Sequence, residues 1–136
     1  MADKLHFSLV SPAREVFSGE VDHVIAPGSE GQFGVLPNHA PFMATLKRGV
    51  VTVKRAGEPD MNVFVRGGFA DVTPEGFTIL AEEAIPTDDL DPAEIDREIE
   101  SVRRKIAEHG QATTDAEALR LHHRMETLEA MKAAAN

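Results

Sequence analysis

At 136 residues and 42% hydrophobic side chains, the chain suits one ordinary domain or a small domain with an appendage, and is too apolar to be disordered. Its net charge of −9 argues against a nucleic-acid partner, whose phosphates demand a basic face, and the absence of cysteine excludes disulfides, thiol nucleophiles and thiolate metal sites. No apolar run approaches the roughly 20 residues of a membrane span, and the opening MADKLHF reads as neither a secretory signal nor a transit peptide. The expectation is a soluble, cytoplasmic chain with no direct membrane insertion, whose membrane association comes only through partners.

From Lys4 to Glu83 the apolar residues alternate. Leu5, Phe7 and Leu9 share one face of a strand, as do Val51 with Val53, Met61 with Val63 and Val65, and Phe77 with Ile79 and Ala81. Turn signals at Pro12, Gly28, Gly49, Gly57, Gly67-Gly68 and Pro74-Gly76 separate these runs, which predicts a small antiparallel sandwich or barrel with one buried side per sheet. The stretch Val24 to Gly49 is dense in glycine and proline and reads as a shaped surface loop. Pro27-Gly28 is a turn dipeptide, Gly31 and Gly34 permit positive φ or close backbone approach, and Pro37 and Pro41 lack the N–H that a ladder needs.

The period then changes from 2 to about 3.6. Asp91-Pro92-Ala93-Glu94 supplies a capping aspartate, a proline at the first helical position and a glutamate at the third. Ile95, Ile99, Val102 and Ile106 form one apolar stripe, and Gly110 is a stop. A second capping box at Thr114-Asp115-Ala116-Glu117 opens another helix with the stripe Ala118, Leu121, Met125 and Leu128. Two helices of about 18 and 20 residues on a five-residue connection must run antiparallel. The predicted class is therefore α+β, an N-terminal antiparallel β-sandwich over residues 1–86 followed by a C-terminal two-helix hairpin over 87–136. These parts carry charges of −4 and −5, so the hairpin is the more densely acidic. Ile85 to Leu90 is the candidate hinge.

No arrangement of residues reads as catalytic. Six histidines are scattered; His122 and His123 are consecutive on a helix and point about 100° apart, so they cannot ligate one ion from one face. No metal or cofactor is expected. The glycines from Gly28 to Gly34 lack the lysine and following helix of a phosphate-binding loop. His39 reads as either a loop-packing histidine or a partner contact. Arg103, Arg104 and Lys105 form the only basic cluster; cations late in a helix complement its dipole.

The order and spacing of Pro27-Gly28, Gly31, Gly34, Pro37, His39-Ala40-Pro41 and Gly49 resembles the epsilon subunit of the bacterial rotary ATP synthase, equivalent to the mitochondrial delta subunit. Leu9-Val10-Ser11-Pro12 and Phe17 to Val21 match that family's opening strands, and Gly67-Gly68-Phe69 its later Gly-Gly turn. The resemblance implies a non-catalytic central-stalk subunit on the cytoplasmic face of the bacterial inner membrane, clamped between the gamma subunit and the c-ring. It places Ser29, Glu30, Gly31, Gln32 and His39 on the c-ring side. It also implies a second role for Arg103, Arg104 and Lys105, docking on the acidic alpha/beta catalytic head when the hairpin extends to restrain ATP hydrolysis. Some family members bind ATP through an Ile/Leu-Asp-x-x-Arg-Ala motif; here Ile95-Asp96 is followed by Ile99-Glu100, without the arginine. The rival reading is a free-standing nucleotide sensor whose hairpin closes over a small ligand.

Overall fold

The computed structural model describes residues 4–109 and 115–135, and it divides into two compact units that part between Asp88 and Asp89. The first unit holds eight strands: β1 Leu5–Val10, β2 Glu15–Val21, β3 His23–Gly28, β4 Gly31–Val35, β5 Phe42–Lys54, β6 Met61–Thr73, β7 Gly76–Ala81 and β8 Ala84–Pro86. They pair in the order β2-β1-β7-β6-β5-β3-β4, with β8 added to β6. Although three strands lie between β4 and β7 in that order, the Phe33 ring of β4 lies 6.4 Å from Phe77 of β7. The sheet therefore folds over on itself as a sandwich. All pairings run antiparallel except that of β1 with β7, which is parallel; strands so far apart in sequence need no hairpin between them.

The alternation in the sequence is the alternation of the core. Leu5, Phe7, Leu9, Val51, Val53, Val63, Val65, Phe77, Ile79 and Ala81 are all buried in one cluster. One buried side per sheet does not hold throughout: Phe64, between Val63 and Val65, is also fully buried. Its register partner is Ile85 of β8.

The stretch expected as one long loop is mostly strand. Val24 to Gly28 belongs to β3 and Gly31 to Val35 to β4, with Ser29-Glu30 as a two-residue turn between them; only residues 36–41 are loop. The glycines allow close backbone approach. A Cβ on Gly28 would lie 2.7 Å from the Gly31 carbonyl, one on Gly49 2.8 Å from Pro27 Cβ, and one on Gly34 2.7 Å from His23 Nε2. Pro27 sits within the irregular stretch of the β3–β5 ladder, where its missing N–H is tolerated.

Gly67-Gly68 is not a turn between strands but an irregularity inside β6. Before it, Val63 and Val65 face the core; after it, Ala70 and Val72 do. Inward positions have moved from odd to even numbers, and β5 makes the matching switch between Leu46 and Val51. Gly67 and Gly68 have φ of 77° and 134°, which L side chains rarely adopt. The same place divides the partners of β6, β8 pairing with residues 63–65 and β7 with residues 68–73.

Asp22 ties this unit together at the start of β3. Its carboxylate accepts from Lys4 Nζ and from the Ala56 amide, while its own N–H donates to the Lys54 carbonyl at 2.9 Å. The Lys4 hydrogen bond, then the Ala56 one, holds its pKa below the ordinary carboxylate value. A lowered folded pKa adds stability above the unfolded value that is lost as pH falls through the folded one. We expect the melting-temperature gap between the native chain and Asp22→Asn to be widest above about pH 5 and to close on further acidification. A gap unchanged down to about pH 2 would show that Asp22 is not ionised in these bonds.

The second unit holds α1 Pro92–His109 and α2 Asp115–Ala135. Asp91 caps α1 as its sequence predicts: Oδ1 accepts from the Ala93 amide at 3.0 Å, and its carbonyl accepts from Ile95 at 3.0 Å. Ile95, Ile99 and Val102 are buried and Ile106 half-buried. On α2 the seam lies further along than expected. Ala118, Leu121 and Met125 are only half-buried, whereas Thr127, Leu128 and Met131 are buried. The ion pairs Glu98–Arg124 and Asp96–Lys132, both 2.8 Å, show why: the antiparallel course brings the end of α2 beside the start of α1, where buried Ile95 and Ile99 stand. The stop at Gly110 and the Thr114 cap lie outside the described residues.

The stretch expected as a hinge is anchored in its first half. Ile85 and Pro86 pair with β6, and Thr87, opening a short 3-10 turn over Thr87–Asp89, donates Oγ1 to the Asn62 carbonyl at 3.3 Å.

Candidate functional site: docking surfaces of the sandwich

The residues singled out for one interface occupy two neighbouring places. Ser29 and Glu30 form the β3–β4 tip and Gly31 and Gln32 open β4, all four exposed. His39 lies in the following loop, where Nδ1 is 2.6 Å from the Ala40 carbonyl and the ring packs edge-on to Phe42 at 6.0 Å. Phe42 meets Phe33 edge-on at 5.3 Å. Glu30 and Gly31 line a groove of about 470 Å³ walled by Phe33, Phe42, Met43 and Phe69. His39 instead opens on a groove of about 550 Å³ with Lys4, His6, Glu20 and Glu75.

The polar groove has no catalytic order. His6 is already engaged with Glu20, its register partner across β1–β2, at 3.2 Å. Among the described residues no three His, Asp or Glu side chains are placed to hold a metal ion.

The surface that sequence reasoning missed is apolar. Phe69 and Leu80 are direct cross-strand partners and are 58% and 56% exposed, and Met43 is 71% exposed. Val10 pairs with Leu80 on the far side. These side chains make an apolar row across β1, β7, β6 and β5. Phe69 lines both the groove at the hairpin tip and a second one of about 370 Å³ with Val10, Pro12 and Leu80. Large exposed side chains gathered this way mark an interaction surface, because scattered apolar residues do not form continuous grooves. A signal was available in Gly67-Gly68: two adjacent glycines inside an alternating run can move the phase, and the phase decides that Phe69 points out.

On α1, Arg103 is paired with Glu100 one turn earlier. Arg104 and Lys105 are exposed, and the three consecutive cations spread over about 200° of the helix instead of forming one patch. Where the nucleotide motif would stand, Ile99 is buried and Glu100 is committed to Arg103. No helix among the described residues is long and apolar enough to cross a membrane.

Together these features define a docking scaffold: a sandwich with an apolar row and a polar hairpin tip, joined in sequence to an acidic helical hairpin. Residues 4–87 match the beta-sandwich domain of the ATP synthase delta/epsilon chain, and the chain belongs to that family. It is 58% identical over 134 residues to the ATP synthase epsilon chain of Hyphomonas neptunium, covering 98% of each. Against the epsilon chain of Caulobacter vibrioides it is 68% identical over 83 residues, which span 60% of this chain but 94% of the relative. The fold is also that of a chain in the cryo-EM structure of the Euglena gracilis mitochondrial ATP synthase, with 24% identity, a TM-score of 0.80, and coverage of 98% of this chain and 82% of that one. It is accordingly a non-catalytic subunit of ATP synthase.

Proposed function

We propose that this chain joins the gamma subunit to the c-ring at the foot of the central stalk, so that proton flow is coupled to ATP synthesis carried out elsewhere in the complex. It would stand on the cytoplasmic face of the bacterial inner membrane as a peripheral subunit. The observation that carries this reading is the apolar row of Met43, Phe69 and Leu80, which leaves large side chains in water unless a partner covers them. The row suits gamma, a permanent partner; the polar tip of Ser29, Glu30, Gly31 and Gln32, with His39 beside it, suits the polar loops of the ring.

The hairpin is the separable part. The Caulobacter relative is spanned almost entirely by a match of 83 residues, about the length of the sandwich here, which favours a sandwich sufficient for coupling and a hairpin added for control. In this reading Arg104 and Lys105, with Arg103 released from Glu100, grip the acidic alpha/beta head and restrain ATP hydrolysis.

The test is reconstitution into an ATP synthase stripped of this subunit. The full chain and one ending at Thr87 should both restore proton-driven ATP synthesis, and the shorter one should leave ATP hydrolysis higher. Failure of both to restore synthesis would refute the coupling role, and equal hydrolysis would refute the brake.

A further inference from the structure

The turn Ser29-Glu30 is closed by Gly28 opposite Gly31, and Pro27 opposite Gln32 comes next. Proline has no N–H, so Pro27↔Gln32 must be a non-hydrogen-bonded pair, and Ile25↔Gly34 is the next such pair. Gln32 and Gly34 therefore direct their backbone N–H and C=O groups away from β3. Among the described residues no other strand pairs with β4.

Free edges are normally guarded by charge, proline or a bulge. The opposite edge, β2, follows that rule, with Glu15 and Glu20 along it and a register shift at its end. β4 reads Gly-Gln-Phe-Gly-Val, with no charge and no proline. Two further features lie beside it. The 470 Å³ groove walled by Phe33, Phe42, Met43 and Phe69 adjoins the strand, and exposed Glu30 at its head has no cation paired with it among the described residues.

We propose that the free edge of β4 receives an extended segment of a partner subunit as an added strand, hydrogen-bonded at Gln32 and Gly34, with an apolar side chain in the adjoining groove and a lysine or arginine on Glu30. The inference rests on the stalk assignment and adds the kind of contact. Backbone pairing supplies the attraction, and groove and carboxylate set which segment fits.

Amide hydrogen exchange on the full chain, free and bound to ATP synthase stripped of this subunit, tests it. The Gln32 and Gly34 amides should exchange at least about ten-fold more slowly in the complex. Gln32→Pro removes an outward N–H and no internal ladder bond, whereas Gln32→Ala removes only what the side chain contributes. Binding of the proline variant should be weaker than that of the alanine variant by about five-fold, the worth of one hydrogen bond. Unchanged exchange at both amides would overturn the proposal, as would equal binding of two folded variants. If Gln32→Pro does not fold, the exchange measurement decides alone. A chain that does not join the stripped synthase overturns the stalk assignment and this inference with it; a chain that joins with both amides unprotected overturns only the inference.

Discussion

Gly68→Ala should cost the sandwich about 3 kcal/mol or more and lower its melting temperature by on the order of 15 °C, because among the described glycines an added Cβ meets its nearest atom there. Two independent penalties coincide there. The φ of 134° is one that L residues rarely adopt. An added Cβ would also lie 2.2 Å from the Leu80 carbonyl oxygen and 2.8 Å from the Ala81 Cα, both backbone atoms of the adjoining strand that cannot swing aside. Gly31→Ala separates the two terms: it has a φ of 132° but no atom within 4 Å of the added Cβ, so it should lose only the conformational share, about 1 kcal/mol. Urea unfolding of both variants is the measurement. Equal midpoint shifts would mean that strand-to-strand crowding at Gly68 is not what makes glycine necessary.

The second large effect is on assembly. Phe69→Thr with Leu80→Thr should leave the urea midpoint of the free chain nearly where it was, because both side chains are more than half exposed and threonine suits a strand. Affinity for the stripped synthase should fall by roughly thirty-fold or more, the loss of one central apolar anchor, since such anchors are worth at least about 2 kcal/mol each. Binding within about two-fold of the native chain would show that the partner docks elsewhere. Loss of stability together with binding would mean that the row belongs to the fold.

The expectations that held rest on local physics. Alternation from Leu5 to Ala81 named the core because a strand has only two faces, and Asp91-Pro92 named the start of α1 because an aspartate oxygen and a proline each satisfy a specific need of the first turn. What escaped was set by neighbours. Pairing between β3 and β4 turned a glycine-rich stretch into ladder, since backbone partners outweigh weak strand propensity. Leu128 is buried as its place in the stripe predicts, but the burial of Thr127 and Met131 beside it follows from where α1 places Ile95 and Ile99, which periodicity within α2 does not contain. The apolar row stayed hidden for a related reason: Phe69 and Leu80 look like core residues until the phase of each strand is known.

That phase has a consequence for how this surface can change over evolutionary time. On β6 the inward side chain is chosen by counting, odd positions before the two glycines and even positions after them. Losing one residue between Arg66 and Phe69 would turn Phe69 and Asp71 inward and Ala70 and Val72 outward without altering any side chain. Regaining that one residue would restore the original assignment, and a net change of two would keep it. The surface chemistry of this strand is thus written in parity as well as in residue type, and single-residue length changes here act as inversions of inside and outside.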